Sequence, residues 1–259
     1  MMKAIWKPTL FFVFCLAIFL IINLPVGLIL KHASLPTAVK LYGVKGQVTS
    51  GHITEVYVNN FSFRDINYKA DLSCLLTLHV CYQINYQNGK ANILFNPLTN
   101  NTAIEQLDVD YSMAELAPLM GQLLVKPTGE LNLKFNQINL KQNKVSNING
   151  LVIWSNAGVV GEGTNLGDYQ LQVAREDNSY RFKLIDLKAV LGIAGTGRLK
   201  SDGEYLLDIK VKVASDMDGG IKSLLSLAAK KKGINEYVIY KQGQLLPHLS
   251  RQLLFSDDL

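Results

Sequence analysis

The chain has little with which to do chemistry. Four histidines occur, His32, His52, His79 and His248, and none stands beside a nucleophile in a recognisable motif. There is no H-E-x-x-H to put two imidazoles on one helix face for zinc. There is no G-x-S-x-G elbow to expose a serine, and no glycine-rich loop ending in Lys-Ser or Lys-Thr to cradle phosphate. Gly161-Glu162-Gly163 and Gly195-Thr196-Gly197 look like fragments of nucleotide loops. They lack the helix that must follow, and hairpin turns or close strand packing explain them. Asp108 and Asp110 share one face of an expected strand. A carboxylate pair can do general acid–base work, but without a pocket the plain reading is an exposed polar face.

Charge and cysteine are also scarce. Charged residues make up 18% of the chain, with a net +5. Without Lys3 and Lys7 the remainder carries 24 basic and 21 acidic residues, which is no footprint for nucleic acid. Lys230-Lys231-Lys232 is the one basic run; it reads as a solvated helix end, with a membrane-surface contact as the alternative. Of three cysteines, Cys15 lies in an apolar segment, and Cys74 and Cys81 are seven residues apart. Two thiols and a distant histidine do not make a zinc site. A disulfide between Cys74 and Cys81 is permitted outside the cytoplasm, and two buried free thiols are the other possibility.

What the chain does have is one long apolar run. Thr9 to Leu30 holds 22 residues with no charge and a single asparagine. At about 1.5 Å per residue this reaches roughly 33 Å, enough to cross a hydrocarbon core. A cleaved signal peptide competes, but its apolar region is usually shorter, and His32-Ala33-Ser34 is a poor cleavage site. The expectation is an uncleaved transmembrane anchor at 9–30 behind a cytoplasmic tail at 1–8. A linker at 31–40 and a β-rich domain at 41–259 follow on the far side. Basic residues flank both ends of the run, so orientation rests on the shortness of the N-terminal tail.

From Leu41 onward the chain reads as strands and turns. Val56, Val58, Phe61 and Phe63 fall near period two, with a bulge expected at Asn59-Asn60. Asn88-Gly89 signals a hairpin. Leu107, Val109 and Tyr111 alternate, and residues 113–123 change to a short helical period despite Pro118. Leu131, Leu133 and Phe135 face one way while Asn132, Lys134 and Asn136 face the other. Trp154 alternates with Val152 and reads as core. Tyr169, Leu171 and Val173 precede a turn at Glu176-Asp177-Asn178, and Tyr180, Phe182 and Leu184 follow it. Ser201-Asp202-Gly203 marks the next turn, residues 219–232 read as a helix, and a last strand carries a turn at Gln242-Gly243. Strands that do not alternate with long helices exclude βαβ folds. The expected fold is mainly β: one transmembrane helix, then a large antiparallel, curved sheet or sandwich with one or two short helices. One sheet face is apolar and the other is polar.

The order of these features resembles the type II secretion system protein N family. Gly46 and Gly51 sit where that family has its Gly-x-x-x-x-Gly opening hairpin. The stretch from Pro127 to Leu140 is similar to its central strand. Gly150, Trp154 and Ala157 fit its G-x-x-x-W-x-x-A signature, and Leu166-Gly167-Asp168-Tyr169-Gln170-Leu171 fits its L-G-x-Y-x-L strand. Asp186, Leu191, Gly197, Leu199, Asp202, Gly203 and Tyr205 follow its next pattern. Two departures stand out. Val48-Thr49-Ser50 replaces a usual tryptophan, and Cys74 and Cys81 occupy a stretch where Trp and Pro are common.

The resemblance implies a single-pass protein of the inner membrane, an accessory or assembly component of type II protein secretion. Its domain would sit in the periplasm and act through contacts with other secretion-system components. It implies no enzymatic activity and no cofactor, and it carries over no catalytic residue; the charge balance and the scattered histidines and cysteines already speak against nucleic acid and metal. A second reading follows from the apolar sheet face, which could form a trough for periplasmic lipid. A third, an envelope hydrolase, has no motif behind it.

Overall fold

The computed structural model describes residues 9–10, 12–13, 16, 19–20, 22–32, 39–58, 61–116, 126–141, 144–159, 165–200, 202–214 and 219–244. The tail at 1–8, Cys15, most of the linker, Asn59-Asn60, Pro118, Gly161-Glu162-Gly163, Ser201 and His248 lie outside the described residues. The chain divides into two compact units, Met1–Leu94 and Phe95–Leu259.

In the first unit a short helix α1 (Val26–His32) precedes strands β1 (Val39–Gly46), β2 (Ser50–Val58), β3 (Phe61–Asp71), β4 (Val80–Tyr86) and β5 (Gly89–Asn96). β5 crosses the boundary at residue 94. The strands lie side by side in chain order, with antiparallel pairing from β1 to β4. Val58 pairs with Phe61 and Val56 with Phe63, so the segment expected to be one bulged strand is two strands of a hairpin. Side chains opposite one another across a hairpin show the same period as side chains along one strand, which is why periodicity alone missed the turn. The Asn88-Gly89 hairpin forms, with its turn at Gln87 and Asn88 and Gly89 already in β5.

The apolar run is not one continuous helix. Thr9, Leu10, Phe12, Val13, Leu16, Phe19, Leu20 and Ile22 are helical, then Asn23 turns, Pro25 forms an isolated bridge to Gln47, and α1 begins at Val26. Proline disfavours the helical region for the residue before it and donates no N–H. Asn23 adds a stop signal, with its Nδ2 donating to the Phe19 carbonyl at 2.8 Å. No helix among the described residues is long and apolar enough to cross a membrane.

The second unit comprises β6 (Asn101–Ser112), α2 (Met113–Leu116), β7 (Pro127–Lys141), β8 (Lys144–Val159), β9 (Asn165–Glu176), β10 (Ser179–Ala189), β11 (Leu191–Lys200), β12 (Glu204–Val213), α3 (Gly219–Ala228), β13 (Lys230–Lys231) and β14 (Glu236–Gln244). The spatial order follows the chain through β12, then β14, with β13 outermost. It is a large antiparallel meander with few, short helices. Asp177 at φ 53 and Gly203 at φ 86 make the two expected turns.

Two expectations near the C-terminus need correction. The helix stops at Ala228 instead of running to 232, because Lys230 and Lys231 pair with Val238 and Tyr237 as a strand. The lysines are exposed but not helical. Gln242-Gly243 is not a turn: both lie in β14, opposite Leu206 and Tyr205. A side chain at Gly243 would come within 2.8 Å of the Tyr205 hydroxyl, so the glycine lets a ring lie against the strand.

Register explains the two faces. Val109 lies opposite Leu133, Leu133 opposite Val152, Val152 opposite Leu171, and Leu171 opposite Leu184. The row continues through Gly195 to Ile209 and Ile239. The deepest burial is at one end, in a cluster of Ala157, Leu166, Tyr169, Leu191, Val211, Val213 and Tyr237, against which Trp154 and Leu225 of α3 pack. Along the rest of the row most side chains are only half-buried.

Candidate functional site

The sequence motifs converge on packing, not on a reactive centre. Trp154 lies in β8 with Nε1 donating to the Thr128 carbonyl at 3.0 Å, and its ring is 6.1 Å from that of Tyr169. Ala157 is fully buried beside them. The Tyr169 hydroxyl donates toward two backbone carbonyls, Leu166 of its own strand at 3.0 Å and Leu191 at 2.8 Å, and so ties the start of β11 to β9. Burial pushes its pKa up to about 12. Gly167, between them, has φ +119 and no room for a Cβ, which would lie 2.2 Å from the Lys188 carbonyl oxygen. In the opening hairpin Gly46 and Gly51 face each other, and a Cβ on Gly46 would lie 2.5 Å from the Gly51 Cα. The glycine–aromatic patterns therefore record close backbone approach.

The ionisable candidates stay apart. His52 Nδ1 is 3.2 Å from the Asn67 side-chain oxygen, and His79 Nδ1 is 2.7 Å from the Thr77 carbonyl. Asp108 and Asp110 are joined through Asn132, whose Nδ2 donates to both at 3.1 and 2.7 Å. Among the described residues no three His, Cys, Asp or Glu side chains group as metal ligands. Gly195-Thr196-Gly197 runs inside β11 opposite Ile209, Asp208 and Leu207, with no helix after it. Cys74, within a 3-10 turn (Leu72–Thr77), and Cys81, in β4, stand with their sulfurs 2.07 Å apart and Cα atoms 5.9 Å apart.

Two surfaces remain that could meet a partner. The first is a basic strip on the polar face. Arg181 lies opposite Arg198, Lys183 opposite Thr196, and Lys210 and Lys212 stand two strands away. Glu176 pairs with both arginines, and Glu236 with Lys212 at 3.5 Å. Arg181, Lys183, Thr196, Gly197, Arg198 and Leu206 line an open hollow of about 390 Å³. Sequence reading missed this strip because it sought runs of charge. The signal was cations two residues apart in three successive strands: Arg181 and Lys183, Arg198 and Lys200, Lys210 and Lys212. The second surface is strand edge. β1 has β2 on one side only, and β13 covers β14 only at Tyr237 and Val238, leaving Ile239–Gln244 without a strand neighbour on that side among the described residues.

Comparison with curated proteins and with solved structures finds no match. A family model does match, for type II secretion system (T2SS) protein N, over residues 37–239. That span runs from just before β1 into β14 and takes in the paired glycines, the Trp154–Tyr169 contact and the Leu191 strand. The chain thus belongs to the type II secretion system protein N family.

Proposed function

We propose that this family member is an accessory or assembly component held at the inner membrane by residues 9–30, with its β units in the periplasm, and that it works by contacts with other secretion-system proteins. The family match carries the secretion role. The membrane half of the reading is supported by the apolar run itself: Leu10, Phe12, Val13, Leu16, Phe19 and Leu20 are 45–67% exposed, a burial pattern at odds with water. The free edge of β14 offers backbone donors and acceptors for an added strand, a general docking mode. The basic strip beside it favours an acidic partner surface. The reading includes the Cys74–Cys81 bond, which the periplasm would permit. The test is export. Deleting the gene should reduce release of type II substrates, and the full chain should restore it. Wild-type export in the deletion strain would remove the accessory role.

A second reading rests on the half-buried apolar row of the second unit. Side chains such as Leu133, Val152 and Leu171 keep part of their surface open, so this face could hold acyl chains. Native mass spectrometry of the purified chain that found no co-purified phospholipid would remove it.

A further inference from the structure

The turn between β3 and β4 is unusual for a surface in water. Leu72, Leu75, Leu76 and Leu78 are 45%, 53%, 90% and 62% exposed. The helix is 3-10 in type, so side chains three residues apart eclipse, and Leu72 and Leu75 stack on one side. Leu78 follows the helix in a left-handed conformation at φ 59. Four neighbouring exposed leucines, three of them between Cys74 and Cys81 and Leu72 just before, form an apolar knuckle. No side chain between Asp71 and Tyr82 carries a fixed charge. Such patches on soluble surfaces mark a contact.

The hydrogen bonds show where the knuckle sits. The two residues that flank it both bond the loop between β1 and β2: the Ala70 N–H donates to the Thr49 carbonyl at 2.7 Å, and the Tyr82 hydroxyl to the Val48 carbonyl at 3.1 Å. The same two loop residues hold the apolar run at its bend. The Val48 N–H donates to the Leu24 carbonyl at 3.0 Å, and the Thr49 hydroxyl to the Ile22 carbonyl at 3.3 Å. The knuckle therefore lies at the end of the first unit's sheet that holds the bend of the apolar run. Lys45 and Lys69 are exposed at that end too, on one face, with Asp71 as the acidic neighbour at the rim.

We propose that the Leu72–Leu78 knuckle enters the same bilayer that holds the apolar run, as a second, monotopic contact. Lys45 and Lys69 would then lie at the level of acidic phospholipid headgroups. The occupant is lipid, because the patch lies at the end of the sheet that holds Ile22 and Leu24 of the apolar run and is bordered by exposed cations. The inference rests on the reading of that run as membrane-embedded, and the experiment separates the two.

The full chain, carrying p-benzoylphenylalanine at one position, is reconstituted in vesicles of phosphatidylethanolamine and phosphatidylglycerol and irradiated. Leu16 reports the run and Leu76 the knuckle. Val58, exposed at the opposite end of β2 and about 26 Å from Ser50 at roughly 3.3 Å per residue, is the control. The expected result is a phospholipid adduct at Leu16 and Leu76 and none at Val58. An adduct at Leu16 without one at Leu76 overturns the knuckle proposal alone. No adduct at either overturns both readings. A protein adduct at Leu76 in cell membranes, with none to lipid, assigns the knuckle to a protein partner and overturns the proposal. If the label at 76 prevents folding, Leu75 serves in its place.

Discussion

Tyr169 shows how much one side chain does here. Its hydroxyl serves two carbonyls in the best-buried part of the second unit. Replacing it by phenylalanine leaves both carbonyls without that donor, and the expected loss is about 1–2 kcal/mol in urea unfolding near neutral pH. Its folded pKa is raised from 10.0 to about 12, so its contribution is complete below pH 10 and is lost as pH rises to 12. The Tyr169→Phe variant should lack that part of the alkaline loss, which urea midpoints taken across the window would reveal. Gly167 is the backbone counterpart. At φ +119 with a carbonyl 2.2 Å from the position of a Cβ, Gly167→Ala should cost several kcal/mol, about 2 or more, read as a lower urea midpoint. Asp71 acts locally. Hydrogen bonds from the Ser73 hydroxyl and N–H hold its carboxyl below the ordinary 3.8. The cap it makes on the knuckle is therefore present above that value and lost as pH falls through the lowered one. The Ser73 amide resonance should follow that titration and should not in Asp71→Ala. The sequence named Tyr169 and Gly167 as motif residues, yet their carbonyl partners belong to β9, β10 and β11 and could not be read from spacing.

At the scale of elements, hairpins decide most of the fold. Alternation and turn residues predicted β9, β10, β11 and β12 closely, because those strands have one buried face and short turns. Prediction failed where a residue is constrained by a neighbour across the sheet. Gly243 reads as a turn residue but serves the ring of Tyr205. Lys230 and Lys231 continue a helical pattern but are captured by Tyr237 and Val238. The knuckle between β3 and β4 carries its own prediction. With Cys74 and Cys81 bonded, thiol labelling of denatured, unreduced protein should find neither free. Reduction should lower stability by about 2–3 kcal/mol, the loop-closure value for so short a ring. Labelling of both would remove the bond.

For the whole molecule, the proposed anchor in the apolar run carries the first prediction. The full chain should resist alkaline carbonate extraction, and its purified N-terminal sequence should begin before Thr9; a mature chain beginning near Ser34 would show that the run is removed. Lys183→Glu combined with Lys210→Glu reverses charge on the exposed strip without touching the apolar face. It should leave folding intact, by circular dichroism and unfolding midpoint, and weaken a partner contact in a salt-sensitive way.

By itself the sequence determined the mainly β class, the long uncharged run near the N-terminus and the family. These are properties of composition, local period and motif order, which survive without knowledge of distant neighbours. Only the tertiary structure decided that the run breaks at Asn23–Pro25, where the loop after β1 donates hydrogen bonds to the Ile22 and Leu24 carbonyls. It alone aligned the basic residues of three strands into one strip and set the leucine knuckle beside the apolar run. The reason is common to all three: each depends on pairing between strands, and residues far apart in the chain become neighbours only when register is set. The run expected as one anchor over 9–30 is thus bent at Asn23–Pro25, where the sheet holds it, and continues as α1.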